Sequence, residues 1–275
     1  MNQSPASLIP LLLYLDSLFT HRQVSGRVLT MSEECSRTVD DLRTLLKSSD
    51  GFNSQQRMKF YDSWAETYEQ DLQMVNFRAP NLGVDLLNAN FSGNREEVQV
   101  LDVACGSGLV TKLMVELGFK HFVGVDGSQG MLDQAAKTGL YKELKLALLG
   151  TEPLPAQTGT FDVVIIVGAL DTGFVPVSVV RELCHAAKPG GFVCISRGDH
   201  RGTAGTEYKK DLERVLQLME EEGLWSPVGL KQTDRYMEDL DLNPEEVQEL
   251  QQEERYIRGT GYLYKKAIHS NKLSN

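Results

Sequence analysis

The chain has 275 residues, 41% hydrophobic and 24% charged, with a formal net charge of −10. That make-up is ordinary for a globular domain with a sizeable core, and it excludes a disordered or collagen-like chain. A nucleic-acid backbone needs clustered Lys and Arg, so no nucleic acid is expected as a partner.

The N-terminal apolar run Leu8–Leu15 has no Lys or Arg before it and no small-residue cleavage pattern after it. It is also too short to cross a bilayer, so no membrane is expected as a partner. Residues 1–50 are expected to be a tail, partly without structure, with a short polar helix near its end. The domain is expected over 51–270. Cys35, Cys105, Cys184 and Cys194 show no zinc-ligand spacing. They read as reduced thiols of a cytoplasmic or nuclear protein, with no metal site.

Ser54 is expected to cap a helix in which Met58, Tyr61, Ala65, Tyr68 and Leu72 recur at three- and four-residue steps, with Trp64 beside them. Pro80 opens the next helix, to Ala89. From Val98 onward strands and helices alternate. Strands are predicted at 98–103, 121–125, 144–149, 161–167 and 192–196, with "KPGG" (188–191) turning the chain into the fifth. A long helix over 206–222 follows. Two more strands are expected near 228–236 and 256–265, with an acidic helix from Asn243 between them. The alternation predicts an α/β, doubly wound, mostly parallel sheet with N-terminal helices. The last two strands lack a crossover helix and can pair antiparallel at one edge.

In such a sheet the ligand lies outside the carboxyl ends of the strands. Four places mark that rim. The turn Ala104–Gly108 carries Gly106 and Gly108, where backbone can approach a ligand closely. Asp126, followed by Gly127 and Ser128, ends the second strand and can accept from a ribose diol. Thr151 and Glu152 follow the third strand, and Val167 ends the fourth. A dinucleotide turn would carry a third glycine where Thr111 stands. Asp102, just before the turn, would repel a pyrophosphate and attract an ammonium or sulfonium. The acid therefore favours S-adenosylmethionine over NAD.

The set "VLDVACGSGLV", "FVGVDGS", "EPLP", "FDVVIIVGAL" and "KPGGFVCIS" resembles the class I S-adenosylmethionine-dependent methyltransferases. "FYDSWAETYEQD" resembles the leading helix of their ubiquinone-biosynthesis-like branch. The resemblance implies a seven-stranded Rossmann-like methyltransferase fold, S-adenosylmethionine as cofactor, and methyl transfer to an unidentified small molecule or protein; a monomer is expected. The resemblance places Asp102, Gly106 and Gly108 along the methionine moiety and Asp126 on the ribose, with Ala104 of the same turn also expected at the cofactor. Met131 would lie over the adenine, with Thr151 and Glu152 at its edge. The family often has Asp-Ala where Gly150-Thr151 stands here. Tyr61, Trp64 and Tyr68 read either as a stripe packed permanently on the sheet or as a lid that closes over the cofactor. Asp171, Asp199 and His200 lie where an acceptor would sit, but no catalytic base is assigned. Two other classes stay open: a non-catalytic S-adenosylmethionine-binding protein acting through a partner, and a nicotinamide-dependent reductase using Tyr262 and Lys266.

Overall fold

The computed structural model describes residues 37–268 except 243, 244 and 246–248. The tail over 1–36 and most of the acidic helix expected from Asn243 lie outside the described residues. Four helices come first: α1 (Val39–Lys47), α2 (Ser54–Trp64), α3 (Tyr68–Met74) and α4 (Ala79–Asn90). The alternating part then runs β1 (Gln99–Val103), α5 (Leu109–Glu116), β2 (His121–Asp126), α6 (Gln129–Lys137), β3 (Tyr141–Leu146), β4 (Phe161–Val167), α7 (Val179–Ala186) and β5 (Ala187–Gly198). Helix α8 (Thr203–Glu221) leads to β6 (Trp225–Glu238) and β7 (Tyr256–Lys266).

The sheet has seven strands in the order β3-β2-β1-β4-β5-β7-β6. The first five are parallel, and β7 pairs antiparallel with both β5 and β6. The mostly parallel sheet with an antiparallel edge matches the sequence expectation. Its reason is visible in β4, where successive side chains serve opposite faces. Val164 and Ile166 join a core with α7 and α8, whereas Val163 and Ile165 join one with α4 and α5.

Several boundaries differ from the sequence reading. The leading helix is two helices, capped by Asn53 rather than Ser54. They are separated at Ala65–Thr67, where the buried Asp71 carboxylate accepts from Trp64 Nε1 at 2.6 Å and Thr67 Oγ1 at 2.9 Å. Helix α1 lies before residue 51, yet its Leu42 is fully buried beside Phe60 and Trp64. Strand β3 ends at Leu146, three residues earlier than predicted. It is an edge strand with mostly polar residues, and the apolar stretch after it turns inward instead, burying Ala147 and Leu149. "KPGG" is a bulged excursion within β5. Phe161 pairs with Ala187 and Val163 with Phe192, so the extra residues bulge out between the two pairs.

Candidate active site

The cleft opens at the carboxyl ends of β1, β2 and β4, with α2 across its top. Its space, counted out to the open mouth and so including solvent, is about 710 Å³.

The turn after β1 is wound tightly. Ala104 and Gly106 both have φ of 54°, and Gly108 has φ of 93°. A left-handed alanine carries strain of about 1–3 kcal/mol, and such strain clusters at ligand sites. A side chain on Gly106 would meet nothing within 4 Å, and Ala104 and Gly106 both line the cleft. Backbone is therefore bared to a ligand here.

Asp126 holds that turn in place. Its Oδ2 accepts from Gly106 N at 2.8 Å and its Oδ1 from Ser128 N at 2.9 Å. Burial pushes its pKa above the usual carboxylate value, against the pull of the Ser128 and Gly106 amides. Each oxygen keeps a lone pair, so the carboxylate can still accept from a diol in the cleft. Gly127 lines the cleft beside it, and a Cβ there would come within 2.5 Å of Met58 Sδ. Met131 is buried on the same wall, and Val167 closes the far side.

Five of the expected residues, besides Trp64, sit off the cleft lining. Asp102 is 1% exposed and lies beneath the turn, off the cleft wall. Its Oδ2 accepts from Tyr141 OH at 2.8 Å and Thr111 Oγ1 at 3.0 Å. Thr111, standing where a dinucleotide site has glycine, thus serves the acid. Burial raises the Asp102 pKa to about 7, opposed by those two hydroxyls. Gly108 starts α5 and packs against the Tyr141 ring, where a Cβ would come within 3.2 Å. Ser128 caps α6 by accepting from Met131 N at 3.2 Å, and is not on the cleft lining. Thr151 and Glu152 are exposed and off the lining. Because β3 ends early, Leu148 and Leu149 take their place on the wall.

The aromatic stripe divides. Tyr61 and Tyr68 line the cleft, and burial raises both phenol pKa values. Trp64 does not reach it. Its indole stacks on Tyr61 with centroids 5.7 Å apart, and its N–H is spent on Asp71. Trp64 is therefore core.

Sequence reasoning missed Asp62 and Arg57. Asp62 Oδ1 accepts from Ser128 Oγ at 2.6 Å and Gly130 N at 2.9 Å, tying α2 to the start of α6. Its partners lie 66 and 68 residues away, so no local pattern marks it. Arg57 lines the cleft on the aromatic face of α2, one turn before Tyr61. That spacing was a readable signal.

Asp171 and His200 meet at 3.2 Å, and the buried Arg197 lies between Asp171 and Asp199. This network stands beside the cleft rather than on its lining. Tyr262 donates to Glu213 and Lys266 to backbone carbonyls, both on β7 and apart from the cleft.

Residues 101–195 match the methyltransferase-domain family. Human methyltransferase-like protein 27 is 41% identical over 206 residues, which make up 74% of this chain and 83% of that protein. The ubiquinone biosynthesis O-methyltransferase of Bordetella bronchiseptica is 34% identical over 112 residues, 38% of this chain and 44% of that enzyme. Among solved structures, a chain in the complex of the Haloferax volcanii Trm112 methyltransferase activator with its methyltransferase superposes with a TM-score of 0.55. It is 17% identical and covers 76% of this chain and 96% of that one, a likeness of fold alone.

Proposed function

The chain belongs to the S-adenosylmethionine-dependent methyltransferase family, and from that premise we propose how its cleft holds cofactor and acceptor. Asp126 accepts from the ribose hydroxyls, Met131 and Leu149 enclose the adenine, and the bared amides of Ala104 and Gly106 face the methionine end. Tyr61 and Tyr68 donate their phenols to its carboxylate. The observation that carries this reading is the clamp of Asp126 on the left-handed turn. It supplies an acid and open backbone side by side.

S-adenosylmethionine supplies a methyl group made electrophilic by its sulfonium. The chain's task is to align an acceptor with that methyl and to exclude water. The loop from Gly168 to Val175, opposite Asp126, forms the wall on which the acceptor rests. Our reading extends to a monomer acting in the cytoplasm or nucleus on a small molecule or protein. The net charge of −10 supports an acceptor other than nucleic acid.

Calorimetry on the purified chain tests the cofactor assignment. S-adenosylmethionine and S-adenosylhomocysteine should release binding heat, and NAD should not. Heat from NAD alone would overturn the reading.

A further inference from the structure

Arg57 is 7% exposed, and no carboxylate pairs with it among the described residues. Its hydrogen bonds there are two long ones, from Nη1 to Ser49 Oγ at 3.4 Å and from Nη2 to the Ser49 carbonyl at 3.3 Å. The buried Nε has no partner. A buried, uncompensated cation is strongly unfavourable, so a fold that keeps one has a use for it.

The chain also builds a seat for this group. The guanidinium carbon stands 4.2 Å from the centroid of the Phe174 ring, a cation–π contact. Beside it, Gly173 has φ of +76°, and a Cβ there would come within 3.2 Å of Nη2. Arg57, Gly173 and Phe174 all line the cleft. Gly173 and Phe174 belong to the acceptor wall, and Arg57 packs directly on both.

We propose that Arg57 binds a carboxylate on the methyl acceptor, which makes the acceptor a carboxylic acid small enough to share the cleft with the cofactor. This inference rests on the cofactor reading above. A planar guanidinium matches a carboxylate in two-point geometry. The other formally charged side chain on the lining is Asp126, an acid. A single negative charge is balanced by Arg57, whereas a phosphate dianion would be left half-compensated and facing Asp126. The cofactor's own carboxylate is the second source of the same chemistry, and the test separates the two.

The full chain, saturated with S-adenosylhomocysteine, is titrated with benzoate and with its neutral analogue benzamide. Benzoate should bind about tenfold or more tighter than benzamide. Arg57→Gln should remove that preference, and Arg57→Lys should keep part of it. The affinity ratio of S-adenosylhomocysteine to 5′-methylthioadenosine, which lacks the carboxylate, should not change in Arg57→Gln. Equal binding of benzoate and benzamide to the parent chain overturns the proposal, as does a preference that survives Arg57→Gln. A fall in affinity for S-adenosylhomocysteine but not for methylthioadenosine would give Arg57 to the cofactor instead. If Arg57→Gln does not fold, the parent preference and its weakening in Arg57→Lys decide the matter. A parent chain that fails to bind S-adenosylhomocysteine refutes the cofactor reading itself, a distinct failure.

Discussion

Asp102→Asn should stabilise the protein progressively as pH rises from 5 to 8. In the folded chain burial holds the Asp102 pKa near 7, against 3.8 ordinarily. A carboxyl whose folded pKa is raised favours folding in its protonated form. The contribution is complete below the unfolded pKa and is lost as pH climbs through the folded one. At pH 8 the ionised side chain therefore costs about 4 kcal/mol, and at pH 5 about 1–2 kcal/mol. Asparagine carries no charge, and its carbonyl can still accept from Tyr141 and Thr111. Its amide adds a pH-independent cost of about 1–3 kcal/mol if no acceptor receives it. The slope is thus the measurement, not the absolute stability. The difference in melting temperature between variant and parent should grow by about 5–10 °C between pH 5 and pH 8. Asp126 titrates in the same sense in both proteins and largely cancels in the difference. A difference that stays flat across this range would show that Asp102 is solvated or ion-paired, and would refute the placement beneath the turn.

Asp126→Ala removes both the clamp on Gly106 and the ribose acceptor, so affinity for S-adenosylmethionine should fall about ten- to a hundredfold. A folded variant that binds normally by calorimetry takes Asp126 out of the site. Gly130→Ala places a Cβ 2.8 Å from the backbone of Asp62. Crowding of α2 against α6 should cost about 1–3 kcal/mol in urea unfolding and outweigh the helix-propensity gain of about 1 kcal/mol; a variant as stable as the parent disproves the tight contact. If α2 and α3 act as a lid, hydrogen exchange should show residues 55–72 more protected with S-adenosylmethionine than without. Equal protection in both states makes Tyr61 and Tyr68 plain core.

The parts of the site legible in the sequence were those that backbone geometry demands. Gly106 and Asp126 are required by a turn and a strand end, and both positions follow from the order of strands and helices. Direction was harder to read. The identity of Asp102 suggested a charge facing a cation, but only the fold shows its oxygen turned to Tyr141, 39 residues on. The same applies to Trp64, whose spacing put it on the aromatic stripe and whose indole belongs to Asp71. Thr151 and Glu152 were misplaced through the end of β3. An edge strand with one covered side has no continuous apolar run, and the run that is present belongs to the rim. Arg57 stood in plain view at a four-residue step from Tyr61, in a pattern read for apolar residues alone.

The order of the last three strands has a consequence for how the chain is made. β7 follows β6 in sequence but lies between β6 and β5 in the sheet. Until residues 256–266 are synthesised, β5 presents an open edge and β6 has no partner strand, and unpaired edges of that kind invite association with other chains. The cleft is bound to the same event, because Arg78 N donates to the Tyr236 carbonyl on β6 at 2.7 Å, just ahead of α4. A stop codon or cut near residue 255 would therefore remove the strand that joins β6 to the rest of the sheet rather than trim its border. The seven-stranded sheet is complete only once β7 pairs with both β5 and β6.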